Sequence, residues 1–124
     1  MPLVNRKALG PPQVCSHMEH FLETCLLFLI GEKADHGYSL VDRLAEFGFT
    51  DESLNVGTLY RTLRRLEKGG FAASDWESSG RGPRRRVYTI TKEGQEALAT
   101  WMEIIRGNKN RIKRLLARYE ADEQ

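Results

Sequence analysis

The chain has 124 residues, 40% of them hydrophobic and 29% charged, with a formal net charge of +2. That length suits one domain with an extra element, and the lean apolar content leaves room for an oligomer interface to complete the core. Two cysteines, Cys15 and Cys25, exclude a disulfide framework and a CxxC pair, which fits a reducing cytoplasm. The N-terminus lacks the apolar core of a signal peptide, and the longest apolar run, Cys25–Ile30, is too short for a bilayer. The charge is unevenly placed. Between Val56 and Lys92 nine Arg or Lys stand against three acids, a local surplus of +6 that leaves −4 for the rest. Such a concentration is the electrostatic footprint a polyanion would need.

Residues 1–16 contain Gly10-Pro11-Pro12 and little periodicity, and read as a flexible arm. Arg6 and Lys7 could touch phosphate, although a tail without a role is the plainer reading. A helix is expected from Ser16 or His17 to Ile30, with Gly31 as its end. Met18, Phe21, Leu22, Cys25, Leu26 and Leu29 make a wide stripe, and Leu27, Phe28 and Ile30 fill the other side, so most faces must be buried. Cys15, His17, Glu19 and His20 have ligand-type side chains, and the i, i+3 histidines could share a face. No second Cys/His cluster accompanies them, so a polar helix start is expected and no metal or cofactor. A second helix follows His36-Gly37-Tyr38-Ser39 and runs to about Phe47, through Leu40, Val41 and Leu44, with Gly48 as stop. His36 and Ser39 suit capping or packing. The loop Thr50-Asp51-Glu52-Ser53 leads to the next helix.

That helix spans Asn55 to Gly70. Asn55 is a good N-cap and the glycine pair a good stop. Leu59, Leu63 and Leu66 form one apolar stripe, Arg61, Arg64 and Lys68 project opposite, and Thr58, Tyr60 and Arg65 lie on the shoulders. A helix with an aliphatic back and a cationic front can dock in a DNA major groove, though an ordinary solvated face shows the same pattern. Beyond Gly70 the period changes to two. Phe71–Glu77 and Arg85–Thr91 read as strands around the turn-rich Ser78–Arg84, giving a two-stranded hairpin tipped with Arg81, Arg84, Arg85 and Arg86. Directly after a basic helix, such a hairpin suits a wing that grips the DNA backbone or minor groove. Thr91 begins the last helix, which runs to about Tyr119, roughly 43 Å at 1.5 Å per residue. Leu98, Ile105, Ile112 and Tyr119 recur every seven residues, with Trp101 or Met102 and Leu115 or Leu116 at the offset positions. Asn108 and Lys109 interrupt the stripe, and Gly107 could bend the helix. A heptad stripe on a helix leaving a small domain wants a partner helix, which makes this the dimerisation element. The organisation expected is an arm over 1–16, a winged helix-turn-helix over 17–91, a dimerisation helix over 92–120 and a tail over 121–124. The fold class is mainly α with a two-stranded hairpin.

The motifs His36-Gly37-Tyr38-Ser39-Leu40, Gly57-Thr58-Leu59-Tyr60, Leu63-Arg64-Arg65-Leu66-Glu67, Ser74-Asp75-Trp76, Gly82-Pro83-Arg84-Arg85 and Tyr88-Thr89-Ile90-Thr91-Lys92-Glu93-Gly94 stand in order. They closely resemble the PadR family of bacterial transcriptional regulators over about residues 20–106. The single C-terminal helix is similar to the short subfamily. The run Glu46-Phe47-Gly48-Phe49 and the Trp101 position look most like polyhydroxybutyrate-responsive repressors. Arg61 departs from the pattern, because many relatives carry Pro there.

The resemblance implies a cytoplasmic homodimer that binds a pseudo-palindromic double-stranded DNA operator and acts as a repressor. It places Thr58, Tyr60, Arg61, Arg64 and Arg65 toward DNA, with Arg81, Arg84 and Arg85 on the wing, and Lys68, on the same cationic helix face, joins the DNA-facing set. It implies a dimer interface built from the first and last helices: Phe21, Cys25 and Phe28 with Leu98, Trp101, Met102, Ile105, Ile112, Leu115 and Tyr119. An aromatic or apolar effector could sit there against Phe21, Cys25, Phe28, Trp101, Met102 and Ile105, although a tryptophan on a heptad stripe also serves as plain packing. The second reading is a protein-interaction adaptor that keeps the fold without reading DNA, because basic patches also bind acidic proteins. Catalysis is not expected, since neither a nucleophile–base pair nor a phosphate loop is present.

Overall fold

The computed structural model describes residues 11–50, 54–77 and 84–122, with the backbone alone for 11–19. The expected basic arm at Arg6 and Lys7, the acidic loop at 51–53 and the turn at 78–83 with Arg81 lie outside the described residues. The elements in order are α1 (Pro11–Glu32), β1 (Asp35–His36), α2 (Gly37–Leu44), a 3-10 turn (Ala45–Phe47), α3 (Val56–Lys68), β2 (Ala72–Glu77), β3 (Arg85–Ile90) and α4 (Lys92–Asp122). Among the described residues no helix is long and apolar enough to cross a membrane.

Helix α1 is the centre of the core. Leu22, Cys25, Leu26, Leu27, Leu29 and Ile30 are all buried, as a helix apolar on nearly every face requires. Its ends differ from expectation. It begins at Pro11, not at Ser16 or His17, so part of the expected arm is helical. Proline is suited to the first helical turn, where its missing N–H has no helical acceptor to lose. It also runs past Gly31 to Glu32. Arg43 of α2 braces this end, donating from Nη2 to the Leu29 carbonyl at 2.8 Å and from Nη1 to the Lys33 carbonyl at 3.3 Å. The Leu29 carbonyl also accepts the Lys33 N–H at 3.1 Å, so Arg43 is a second donor to it and supplies one to the Lys33 carbonyl just beyond the helix.

The second helix is shorter than expected. It ends at Leu44, and the chain tightens into the 3-10 turn before Gly48, whose φ of 89° only glycine adopts without strain. His36 caps α2 by accepting from the Ser39 N–H at 3.4 Å. Beside it, Asp35 accepts from Ser39 Oγ at 2.6 Å, the His36 N–H at 2.9 Å and Arg43 Nη1 at 3.1 Å. Burial works against its charge, but these donors outweigh it and hold the carboxyl below its ordinary value.

The sheet has three strands, not the expected two, in the order β1-β3-β2 with both pairings antiparallel. The two residues of β1, Asp35 opposite Tyr88 and His36 opposite Val87, are too few to show a period in sequence. The wing hairpin is in register from Ala72 opposite Ile90 to Glu77 opposite Arg85. Helix α4 is continuous through Gly107. Its start is locked: Thr91 Oγ1 accepts from the Gly94 N–H at 3.0 Å and donates to the Gly70 carbonyl at 2.7 Å. Trp101 packs edge-on against Phe71 and His20 at 5.4 and 5.3 Å. From Arg106 to Asp122 every residue is exposed.

Candidate nucleic-acid interface

Helix α3 presents the two faces its sequence predicts. Leu59, Leu63 and Leu66 are fully buried, each contributing roughly 1.5–3 kcal/mol relative to exposure. Thr62 joins them, its hydroxyl satisfied by the Thr58 carbonyl at 2.7 Å. Asn55 caps the helix by accepting from the Gly57 N–H at 2.6 Å. On the outer face Arg61, Arg64, Arg65 and Lys68 are exposed, while Thr58 and Tyr60 are half-buried. Their guanidinium groups are held differently. Arg61 Nη2 donates to Thr58 Oγ1 at 3.1 Å, which ties two expected DNA-facing residues together at the first turn. Arg65 Nε lies 3.4 Å from Glu23 Oε2, drawn toward α1 and partly neutralised. Arg64 faces the wing.

Between α3 and the wing lies a groove of about 880 Å³. Tyr60, Arg64 and Glu67 of α3 form one side, and Trp76 of β2, Arg85, Arg86 and Tyr88 of β3 and Arg84 just before it form the other. His36, Gly37 and Tyr38, at the start of α2, close the end. The Tyr60 ring lies over the backbone of Gly37, where an added Cβ would meet ring carbon Cε1 at 2.5 Å. On the wing, the Arg86 guanidinium stacks 4.9 Å over the Trp76 ring, and its Nε donates to Ser74 Oγ at 2.8 Å. Ser74 Oγ in turn donates to Glu67 Oε2 at 2.8 Å, linking wing to helix. Arg85 Nη1 lies 3.3 Å from His36 Nε2. Tyr88 is buried between these groups, and burial, with the Glu67 charge, pushes its phenol above the ordinary value.

Of the expected DNA-facing residues, the structure therefore brings Tyr60 and Arg64 together with Arg84 and Arg85 around one groove. It sets Arg61 and Thr58 at the outer end of α3 and Arg65 toward α1. Sequence reasoning named Arg86 at the wing tip but left it out of the DNA-facing set, and it passed over Tyr38 and Trp76 as site residues. The signal for two of them was present: once Phe71–Glu77 pairs with Arg85–Thr91, Trp76 must stand opposite Arg86.

The residues expected at the dimer interface divide into two sets. Cys25 is buried in the chain's own core, and Phe21, Phe28, Leu98 and Trp101 pack against that core. Phe21 stacks on Phe49 at 5.8 Å and Phe28 meets Phe47 edge-on at 6.1 Å. Ile105 is half-buried. Met102, Ile112, Leu115 and Tyr119 are exposed, as are Ile104 and Leu116, which no contact within the chain explains. Of the ligand-type residues in α1, the side chains of Cys15, His17 and Glu19 lie outside the described residues. His20 is 3.6 Å from Glu23 and beside Trp101. No group of metal ligands forms among the described residues.

Two helices joined by a turn, the second amphipathic with a basic face, followed by an arginine-bearing hairpin, define a winged helix-turn-helix protein. Residues 26–100 match the model of the transcriptional regulator PadR-like family. The chain belongs to that family. It is similar to a solved Streptococcus transcriptional regulator at 32% identity, TM-score 0.67, covering 77% of this chain and 92% of that one. A conserved protein described as a potential transcriptional factor is 36% identical, with TM-score 0.67 and coverage of 81% and 88%. A PadR family regulator from Eggerthella lenta is 27% identical, with TM-score 0.67 and coverage of 85% and 90%.

Proposed function

We propose that this DNA-binding transcriptional regulator is a homodimeric repressor that binds a pseudo-palindromic operator. The observation that carries the reading is that Arg64, on the outer face of α3, lines one groove with Arg84, Arg85 and Arg86 of the wing, while Arg61, Arg65 and Lys68 are exposed on the same helix. In this reading α3 enters the major groove. Arg61 and Arg64 read guanine edges, where a bidentate contact is worth ~1–3 kcal/mol of discrimination. Thr58, Tyr60, Arg65 and Lys68 hold the flanking phosphates, and Arg84 and Arg85, with Arg81, grip the adjacent backbone.

The exposed apolar side chains of α4 support the dimer. A lone helix that exposes Ile112, Leu115, Leu116 and Tyr119 leaves an apolar stripe in water, which a second copy would bury. A small apolar or aromatic effector seated between subunits near Trp101 and Met102 would release DNA by shifting the angle between the two heads.

The test is a gel shift at several salt concentrations with the DNA upstream of the protein's own gene. A palindromic duplex of about 20 base pairs should bind more tightly than random duplex, with affinity falling steeply as salt rises. Arg64→Ala should lose the preference for operator over random DNA. Arg84→Ala should weaken both alike and flatten the salt slope. Equal affinity for operator and random DNA would overturn the operator-specific reading.

A further inference from the structure

The groove between α3 and the wing contains more than a DNA backbone can use. Phosphate contacts explain its arginines, and tyrosine hydroxyls can bind phosphate too. They do not explain its ring faces. Tyr38 is 78% exposed and Trp76 54% exposed, both beside the cationic groups. A B-form duplex keeps its base faces stacked on one another and offers only sugars, phosphates and groove edges outside. Ring faces at a protein surface stack on bases only when the bases are free.

We propose that this groove is a binding site for a small ligand with a planar ring and two or more negative charges, of which a nucleoside diphosphate is the simplest form. Its occupancy excludes DNA from the same face. The regulatory half of this proposal rests on the DNA-binding reading above; the binding half does not.

The lining specifies the ligand by its chemistry. The groove's volume, about 880 Å³, lies within the range of small-molecule sites, on the order of 300–1,000 Å³. Four guanidinium groups, of Arg64, Arg84, Arg85 and Arg86, face one carboxylate, Glu67, among the lining residues. That carboxylate is already engaged by Ser74 at 2.8 Å. A single negative charge would leave most of this cationic surplus unmatched, whereas a diphosphate accepts from several guanidinium groups at once. The site is also partly preorganised. Tyr60 is fixed over Gly37, and Arg86 is fixed between Trp76 and Ser74. A ring stacking at Trp76 would meet a side chain already held by Arg86, which lowers the ordering cost of binding.

The experiment is isothermal titration calorimetry of the full chain with three probes: ADP, inorganic diphosphate and adenosine. ADP should bind saturably, and diphosphate and adenosine at least about tenfold more weakly, because each lacks one of the two recognised parts. Trp76→Ala should weaken ADP at least about fivefold, the low end of what losing a stacking platform costs a base. Arg118→Ala, an exposed cation on the far part of α4, should change nothing. In the second arm, ADP should displace a labelled duplex and raise its apparent Kd linearly with ADP concentration.

Diphosphate binding as tightly as ADP, or an equal loss in Arg118→Ala and Trp76→Ala, would reduce the effect to attraction between any polyanion and a basic protein and overturn the site. Absence of saturable ADP binding at millimolar concentration would also overturn it, while leaving duplex binding intact. If instead ADP binds as stated and no duplex binds, the DNA reading fails and the ligand site stands. Saturable ADP binding without displacement of bound duplex would refute the exclusion of DNA.

Discussion

Gly94 and Gly107 lie in the same helix and should respond to alanine in opposite directions. In α4 an alanine gains helix propensity over glycine, about 1 kcal/mol in a helix interior. At Gly107 nothing lies within 4 Å of an added Cβ, so only that gain applies. Gly107→Ala should stabilise the protein by roughly 0.5–1 kcal/mol. At Gly94 the Cβ would fall onto the Phe71 carbonyl oxygen and 2.8 Å from Ile90 Cγ1. The carbonyl is backbone, and it also accepts the Thr91 N–H at 3.1 Å. Room for the methyl comes only by lifting the first turn of α4 off the sheet, which breaks that bond and strains the Thr91 cap. Overpacking costs ~1–3 kcal/mol and a lost hydrogen bond about 1 kcal/mol more. Set against the propensity gain, Gly94→Ala should destabilise by about 1–3 kcal/mol. Urea unfolding at one fixed protein concentration reads both variants, with an unchanged m-value confirming that stability alone has moved. A Gly94→Ala protein as stable as the parent would refute the account of how α4 is seated. A destabilising Gly107→Ala would show that the helix needs its glycine as a bend.

Three further outcomes follow from particular groups. Asp35 has a folded-state pKa below its ordinary value near 3.8, so its contribution is complete above that value and is lost as pH falls through the folded one. Asp35→Asn should therefore destabilise the protein at neutral pH, with the gap from wild type closing below pH 4 in thermal melts; a pH-independent gap would show the loss is steric. Burial pushes the Cys25 thiol up to about 12. In a Cys15→Ser background a thiol reagent at pH 8 should react far more slowly with folded than with urea-unfolded protein, and equal rates would contradict its burial. Ile112→Asp with Leu115→Asp alters side chains that are 56% and 69% exposed in one chain. Sedimentation should show a monomer with unchanged head stability if α4 forms the dimer, and an unchanged dimer would move the interface elsewhere.

The elements with long periods were legible in the sequence. The α3 stripe of Leu59, Leu63 and Leu66 is completely buried, and its Asn55 cap is formed, because both signals are local and repeat. The two hairpin strands fall within a residue of where their β-branched and aromatic content puts them. What escaped depended on contacts between segments distant in sequence. Strand β1 has two residues and exists because β3 has a free edge to pair with. The end of α1 is braced by Arg43, which no local signal connects to Leu29. Pro11-Pro12 reads as a break in isolation but is tolerated in a first turn. The groove escaped for the same reason: Tyr38, Trp76 and Arg86 come from three elements, and only the seating of Tyr60 on Gly37 and of the wing on Glu67 brings them together.

The seating of α4 also separates two ways in which DNA binding could be controlled. The first turns of α4 form one body with the head, because Thr91 bonds to Gly70 and Trp101 packs between Phe71 and His20. In the proposed dimer, a ligand between subunits would therefore change the angle of the two heads only by moving this seat or the contact beyond Ile105, and its effect would be a coupling between distinct sites. Such a ligand would leave residual DNA affinity at saturation and would shift the preferred half-site spacing. A ligand in the groove beside Arg64 would occupy the proposed DNA face itself. It would leave the spacing preference untouched and raise the apparent Kd without limit as its concentration rises. The shape of that titration, plateau or straight line, assigns control to α4 or to the groove.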